Sequence, residues 1–156
     1  IGSCMTNIGH FRAAAKIWVG ETVNADVRTY ICPPTRMDQS KLKDEALFAV
    51  FNQVNARVEV PGCSLCMGNQ LRVPGGATVF STSTRNFDNR MGTGAQVYLG
   101  SAELGAVVAI KGKLPSAGEY FEIYKQKVAP YEAEVYQYLQ FDEMGDFDRV
   151  YKWRDL

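Results

Sequence analysis

Long apolar runs are missing from this sequence: nothing approaches the run of about 20 apolar residues that a membrane-spanning helix needs, so no membrane partner is expected. The N-terminus, Ile1-Gly-Ser-Cys4, shows no basic segment followed by an apolar one, so no secretion signal is expected and the reading is cytoplasmic. An initiator methionine is absent as well, and the chain is expected to be cut from something longer. Cysteine is scarce. Four in 156 residues are too few for a disulfide scaffold, so any clustering points to metal or redox chemistry. Histidine is scarcer still, with His10 alone. An excess of charge is lacking too: 17 Lys and Arg balance 17 Asp and Glu, which gives no general attraction to nucleic acid or an anionic membrane.

What is present suits a globular fold, with 46% apolar residues and a length that buries a core without staples. Residues 8–19 are mostly helix-compatible, with Gly20 as a stop. A β-rich run from Val27 to Cys32 is closed by Pro33-Pro34. Between Asp38 and Phe51, Leu42, Ala46, Leu47, Val50 and Phe51 recur at helical spacing, with Asp38 as the expected N-cap. Further strands are expected at 57–60, 77–80 and 96–99, and Ser101 caps an apolar helix through Ile110. Ser116-Ala-Gly-Glu119 has capping-box spacing and opens a helix to about Val128; Pro130 starts another through Leu139. This alternation predicts an α/β fold, a mostly parallel sheet flanked by helices over residues 1–114, with a helical C-terminal extension over 115–156 packed on it.

Two segments stand beyond predicted strands, where ligands bind in parallel sheets. The first is Cys63-Ser-Leu-Cys66 after Pro61-Gly62, to be read with Cys4, 59 residues earlier. Both sites are expected where a loop turns into a helix, whose dipole favours thiolates, and Gly2, Gly62 and Gly68 would let the backbone approach a bulky ligand. Spacing alone leaves three chemistries open: a redox couple, a structural zinc site completed by His10, and an iron–sulfur cluster. Cys32 is expected in the core, and His10 as a packed or capping residue.

The second segment, residues 81–94, is rich in hydroxyls and glycine and carries Arg85 and Arg90, five apart. Arginine's planar fork matches a carboxylate bidentately, so two forks on one loop could hold a small polyanion. A solvated loop whose arginines pair with Asp88 or water explains the same residues.

Taken together, Ile1-Gly-Ser-Cys4-Met-Thr-Asn7, Pro61-Gly-Cys63-Ser-Leu-Cys66-Met-Gly-Asn69 and Ser83-Thr-Arg85-Asn86-Phe87-x-x-Arg90 resemble the aconitase family, and the methionine variant of the first resembles its bacterial B type. The resemblance runs from Ile1 to about Leu114 and implies a [4Fe-4S] cluster held by Cys4, Cys63 and Cys66. It implies interconversion of citrate and isocitrate through cis-aconitate, with 2-methylisocitrate as a further substrate. Arg85 and Arg90 would hold substrate carboxylates, and Thr84 stands where some relatives carry an asparagine near the cluster. Family members are several times longer, and their other domains supply the acid–base groups. No catalytic proton-transfer residue is therefore assigned here, and the chain alone is expected not to turn over citrate. A cluster-free form binding RNA is a further implication that the neutral charge does not support.

Overall fold

The computed structural model describes residues 1–63, 65–68 and 71–137. Its centre is helix α1, Ile8–Trp18, started by Asn7, whose side chain accepts a hydrogen bond from Gly9 N–H. Eight of its residues are buried, among them Phe11, Ile17 and Trp18 and a run of three alanines, Ala13–Ala15. Small residues on both partners let α1 lie close along α4, Ala102–Lys111, which contributes Ala102, Gly105, Ala106 and Ala109. Trp18 spans that contact, and its indole N–H donates to the Ala106 carbonyl at 3.1 Å.

Four short strands fall where the β-rich runs predict them. β1, Tyr30–Ile31, pairs in parallel with β2, Arg57–Val58; β3, Thr78–Ser81, pairs in parallel with β4, Gln96–Leu99. Among the described residues they form two separate two-stranded ladders instead of one sheet. Pro33-Pro34 and Pro61 close the first pair after two residues each, since proline cannot donate to a ladder. One peptide links the ladders. Cys32 N–H donates to the Ile1 carbonyl at 2.9 Å beside β1, and Gly2 N–H donates to Thr82 Oγ1 at 2.8 Å beyond β3.

The single helix predicted from Asp38 to Phe51 is two. α2 is Arg36–Asp44 and α3 is Leu47–Gln53, and the N-cap is Thr35, whose hydroxyl accepts from Asp38 N–H. The chain breaks at Ala46, which takes a left-handed φ of 58°. A contact distant in sequence fixes that break: Arg12 grips the Glu45 carboxylate bidentately, Nε at 2.8 Å and Nη2 at 2.6 Å. The turn delivers Phe51 edge-on to Trp18, ring centres 6.2 Å apart.

The helical C-terminal part begins with the predicted capping box, Ser116 and Glu119 satisfying each other at the start of α5, Ala117–Lys127. In place of a helix running from Pro130, a 3-10 turn at Ala129–Tyr131 leads into α6, Glu132–Val135; residues 138 and 139 of that prediction lie outside the described residues. Val128 and Val135 join the same core as α1 and α4.

A polar knot ties these helices. The buried Glu103 carboxylate accepts from Tyr136 Oη at 2.7 Å and faces His10 Nδ1 at 3.2 Å. Burial alone would raise the Glu103 carboxyl, but hydrogen bonds from His10, Tyr136 and Ser101 bring it down to about 2. The bond to Glu103 raises His10 above its ordinary 6.5. The signs are opposite. Glu103's contribution to stability is complete above its ordinary 4.5 and is lost as pH falls toward about 2. His10's contribution is complete below 6.5 and is lost as pH rises through its raised value. Thermal unfolding against pH should therefore show a plateau between 4.5 and 6.5. His10→Gln should remove the alkaline limb and weaken the acid one, while Glu103→Gln should reduce both; a profile that neither variant changes would refute this account.

Candidate metal centre

Cys4, Cys63 and Cys66 converge at the carboxyl ends of the strands. Their sulfurs all lie within 4.8 Å of one another, with Cys4 and Cys63 Sγ 3.3 Å apart. Cys4 is exposed, Cys63 half-buried and Cys66 buried, so the group opens to solvent on the Cys4 side. Cys63 and Cys66 are joined as a disulfide, with Cα atoms 5.3 Å apart.

Local turns aim these side chains. Ser3 Oγ accepts from Met5 N–H and pairs with Thr6 Oγ1, while Thr6 N–H returns to the Ser3 carbonyl, which leaves Cys4 at the tip of a closed turn. Around the other pair, Met67 N–H donates to the Cys63 carbonyl and Gly68 N–H to that of Leu65. Here the expectation of a helix start fails. Residues 65–68 form turns and 71–74 have no regular structure, so among the described residues no helix starts at Cys63 or Cys66.

The flanking glycines also have a different reason from the one the sequence suggested. A Cβ on Gly2 would collide with the Cys32 carbonyl, and one on Gly68 with the Arg90 carbonyl; both take positive φ, 135° and 66°. Close approach of the protein's own backbone, not of a ligand, demands them. Gly62, at φ 127°, has open space where its Cβ would be.

Cys32 lies beneath this site, fully buried, its Sγ 3.3 Å from the Val60 carbonyl and 3.4 Å from that of Gly62. It is core, as expected, and stands outside the three-sulfur group. His10 is bound to Glu103 and packs edge-on to Tyr136; it too is outside that group, which weighs against a zinc site completed by it.

The arginine loop follows β3 and abuts the cysteine turn. Val73 N–H donates to the Met91 carbonyl at 2.7 Å and Gly76 N–H to that of Thr93 at 2.9 Å, which laces the two loops together. Asn89 Oδ1 accepts from Gly94 N–H and closes the loop's far side. Within it the two arginines part company. Arg85 and Thr84 are exposed, whereas Arg90 is 2% exposed and points inward. Its Nη1 donates to the Leu65 and Cys66 carbonyls, both at 3.2 Å, and Nη2 to Ser81 Oγ at 3.4 Å. Burial lowers its pKa from the ordinary value. Among the described residues neither arginine is paired with Asp88. The inward turn of Arg90 was invisible in the sequence, because the carbonyls it meets are 24 and 25 residues away.

Chemically, three convergent sulfurs with no carboxylate or imidazole among them suit a soft metal or an iron–sulfur cluster. That donor set fits a group held by three thiolates, provided Cys63 and Cys66 are reduced. The cavity of about 670 Å³ between the ladders is a separate feature, lined by Leu65, Val79, Phe80 and Met91 among others and by none of the three cysteines.

Residues 1–112 match the Aconitase family (aconitate hydratase). This chain belongs to the aconitase family. It is 62% identical over 149 residues to aconitate hydratase B of Synechocystis sp. and 54% identical over 147 residues to that of Escherichia coli. These matches take in 95% and 94% of the chain but 17% of each relative, so the chain spans about a sixth of the length of those aconitases. It is also 38% identical over 122 residues to the 3-isopropylmalate dehydratase large subunit of Clostridium kluyveri, covering 76% of this chain and 29% of that protein.

The contact between the two loops can be tested at Gly68. Gly68→Ala should cost about 1–3 kcal/mol from left-handed backbone strain alone, and more from the collision with Arg90. Denaturant unfolding measures it, and an unchanged midpoint would show that this approach does not hold the loops together.

Proposed function

We propose that this chain supplies the three thiolate ligands of a [4Fe-4S] cluster, Cys4, Cys63 and Cys66, to a hydro-lyase that interconverts citrate and isocitrate through cis-aconitate. The observation that carries this reading is the convergence of those three sulfurs within 4.8 Å, at strand ends shared with the arginine loop. When bound, a cluster with three protein ligands supplies an iron free to act as a Lewis acid on a substrate hydroxyl and carboxylate. The chain's own work is to hold and to orient. Arg85, exposed at the rim, offers its guanidinium fork to a substrate carboxylate. The same role is assigned on family resemblance to Arg90, whose guanidinium is engaged inward in this structure.

Proton transfer is assigned to other domains of a longer enzyme. His10 and Glu103 are committed to each other and to Tyr136, outside the sulfur group. A reducing compartment such as the cytoplasm keeps the thiolates available. Substrates of this class include 2-methylisocitrate, a polycarboxylate with the same hydroxyl-bearing frame.

A second reading is favoured by one observation, the Cys63–Cys66 disulfide, which suits a dithiol redox couple with Cys4 as a neighbouring thiol. Anaerobic reconstitution of the reduced chain with iron and sulfide separates the two. Visible cluster absorption with bound iron and acid-labile sulfide is expected for the parent and for Cys32→Ser. Cys4→Ser, Cys63→Ser and Cys66→Ser should each abolish it. Zinc in place of iron, or a reversible disulfide and no bound metal, would sink the cluster reading. The reconstituted 156 residues alone should not hydrate cis-aconitate, and measurable turnover would overturn the assignment of the acid–base groups elsewhere.

A further inference from the structure

Arg90 is a buried cation. Its side chain is 2% exposed, and no carboxylate pairs with it among the described residues. A charge in that position is costly unless its donors meet strong acceptors. The acceptors it meets are two successive carbonyls, Leu65 and Cys66, each 3.2 Å from Nη1, with Ser81 Oγ at the end of β3 3.4 Å from Nη2. Nε is buried with no partner, so the group is placed for the carbonyls at the expense of its remaining donor.

Two adjacent carbonyls held by one nitrogen fix the peptide planes on both sides of Cys66, and hence the direction of its Cα–Cβ bond. The main chain of the same residue acts at a second point, because the Arg90 carbonyl lies where a Cβ on Gly68 would be. Arg90 thus holds the turn from Leu65 to Gly68 through its side chain at one end and its backbone at the other. Through Ser81 it refers that turn to β3, the firm element from which the arginine loop springs.

We infer that Arg90 is a positioning residue for Cys66: its buried guanidinium holds the turn that aims this thiol into the three-sulfur group. The inference rests on the cluster reading for its functional meaning, but the contact itself is made between the chain's own groups. It adds a second task to the carboxylate role already assigned to Arg90, through the Nη1 contacts to the ligand turn.

The test uses the metal-free chain with all thiols kept reduced, and follows alkylation of each cysteine by iodoacetamide with site-resolved mass spectrometry. Cys66 and Cys32 are both buried, at 1% and 0% exposure, so Cys32 serves as an internal reference. In Arg90→Gln, Cys66 should be alkylated faster by about tenfold or more, as expected when a charged donor leaves two buried carbonyls. Cys32 should keep the parent's rate. Arg90→Lys, which retains the charge but offers a single ammonium, should fall between the two. An unchanged Cys66 rate in Arg90→Gln overturns the proposal, as does a Cys32 rate that rises in step, because the effect would then be general loosening. After reconstitution with iron and sulfide, loss of cluster absorption in air should be several-fold faster in Arg90→Gln than in the parent; equal rates also overturn it. A parent that takes up no cluster refutes the cluster reading, while the alkylation result still decides what Arg90 does to the turn.

Discussion

The site depends on one close approach of backbone to backbone. Ile1-Gly2 runs between the two ladders, bonded to Cys32 beside β1 and to Thr82 beyond β3. Gly2 has no room for a Cβ against the Cys32 carbonyl, so the approach that seats Cys4 beside Cys63 exists only with glycine there. Cys4 is 59 residues from Cys63, so their 3.3 Å approach depends on how this N-terminal segment is seated. The packing of α1 on α4 serves the same end from below. It fixes the helix that Asn7 starts, only three residues after Cys4.

Buried polarity is treated differently in the two halves of the molecule. In the helical half, Glu103 is balanced by His10 and Tyr136, and Arg12 by Glu45, so each charge has a partner that can be read as structural. Next to the sulfurs, Arg90 meets two carbonyls and the Ser81 hydroxyl, and no carboxylate among the described residues. Dipoles neutralise less than a carboxylate does, and the residual positive field lies at the ligand turn. A site built to hold anions, whether thiolates or carboxylates, gains from that imbalance.

What could be read from the sequence divides along the range of the interactions. Features set within a few residues were legible: the capping by Ser101 and by Ser116 with Glu119, the strand at 96–99, and the closure of β1 by two prolines. Features set across the chain were not. The break at Ala46 is held by Arg12, 33 residues from Glu45, and helical spacing of apolar residues runs straight through it. The inward turn of Arg90 depends on carbonyls of another loop. For the cysteines, C-x-x-C spacing is shared by redox, zinc and cluster sites, so local chemistry could not choose. Three separated motifs in order made the choice through family resemblance, and the fold then brought their cysteines into one group.

The relatives sharpen what this region contributes on the proposed reading. Proteins named aconitate hydratase and 3-isopropylmalate dehydratase both resemble the chain over most of its length. A cluster ligand set and an outward guanidinium recognise features that such substrates have in common: a hydroxyl lost as water and a carboxylate beside it. Neither the three sulfurs nor Arg85 touches a feature that would distinguish a carboxymethyl arm from an isopropyl group. Discrimination of that kind needs a shaped pocket or a polar group left unpaired by the wrong substrate, whereas Cys4 and Arg85 are both exposed. On the proposed reading, substrate choice therefore lies with groups other than these three sulfurs and Arg85.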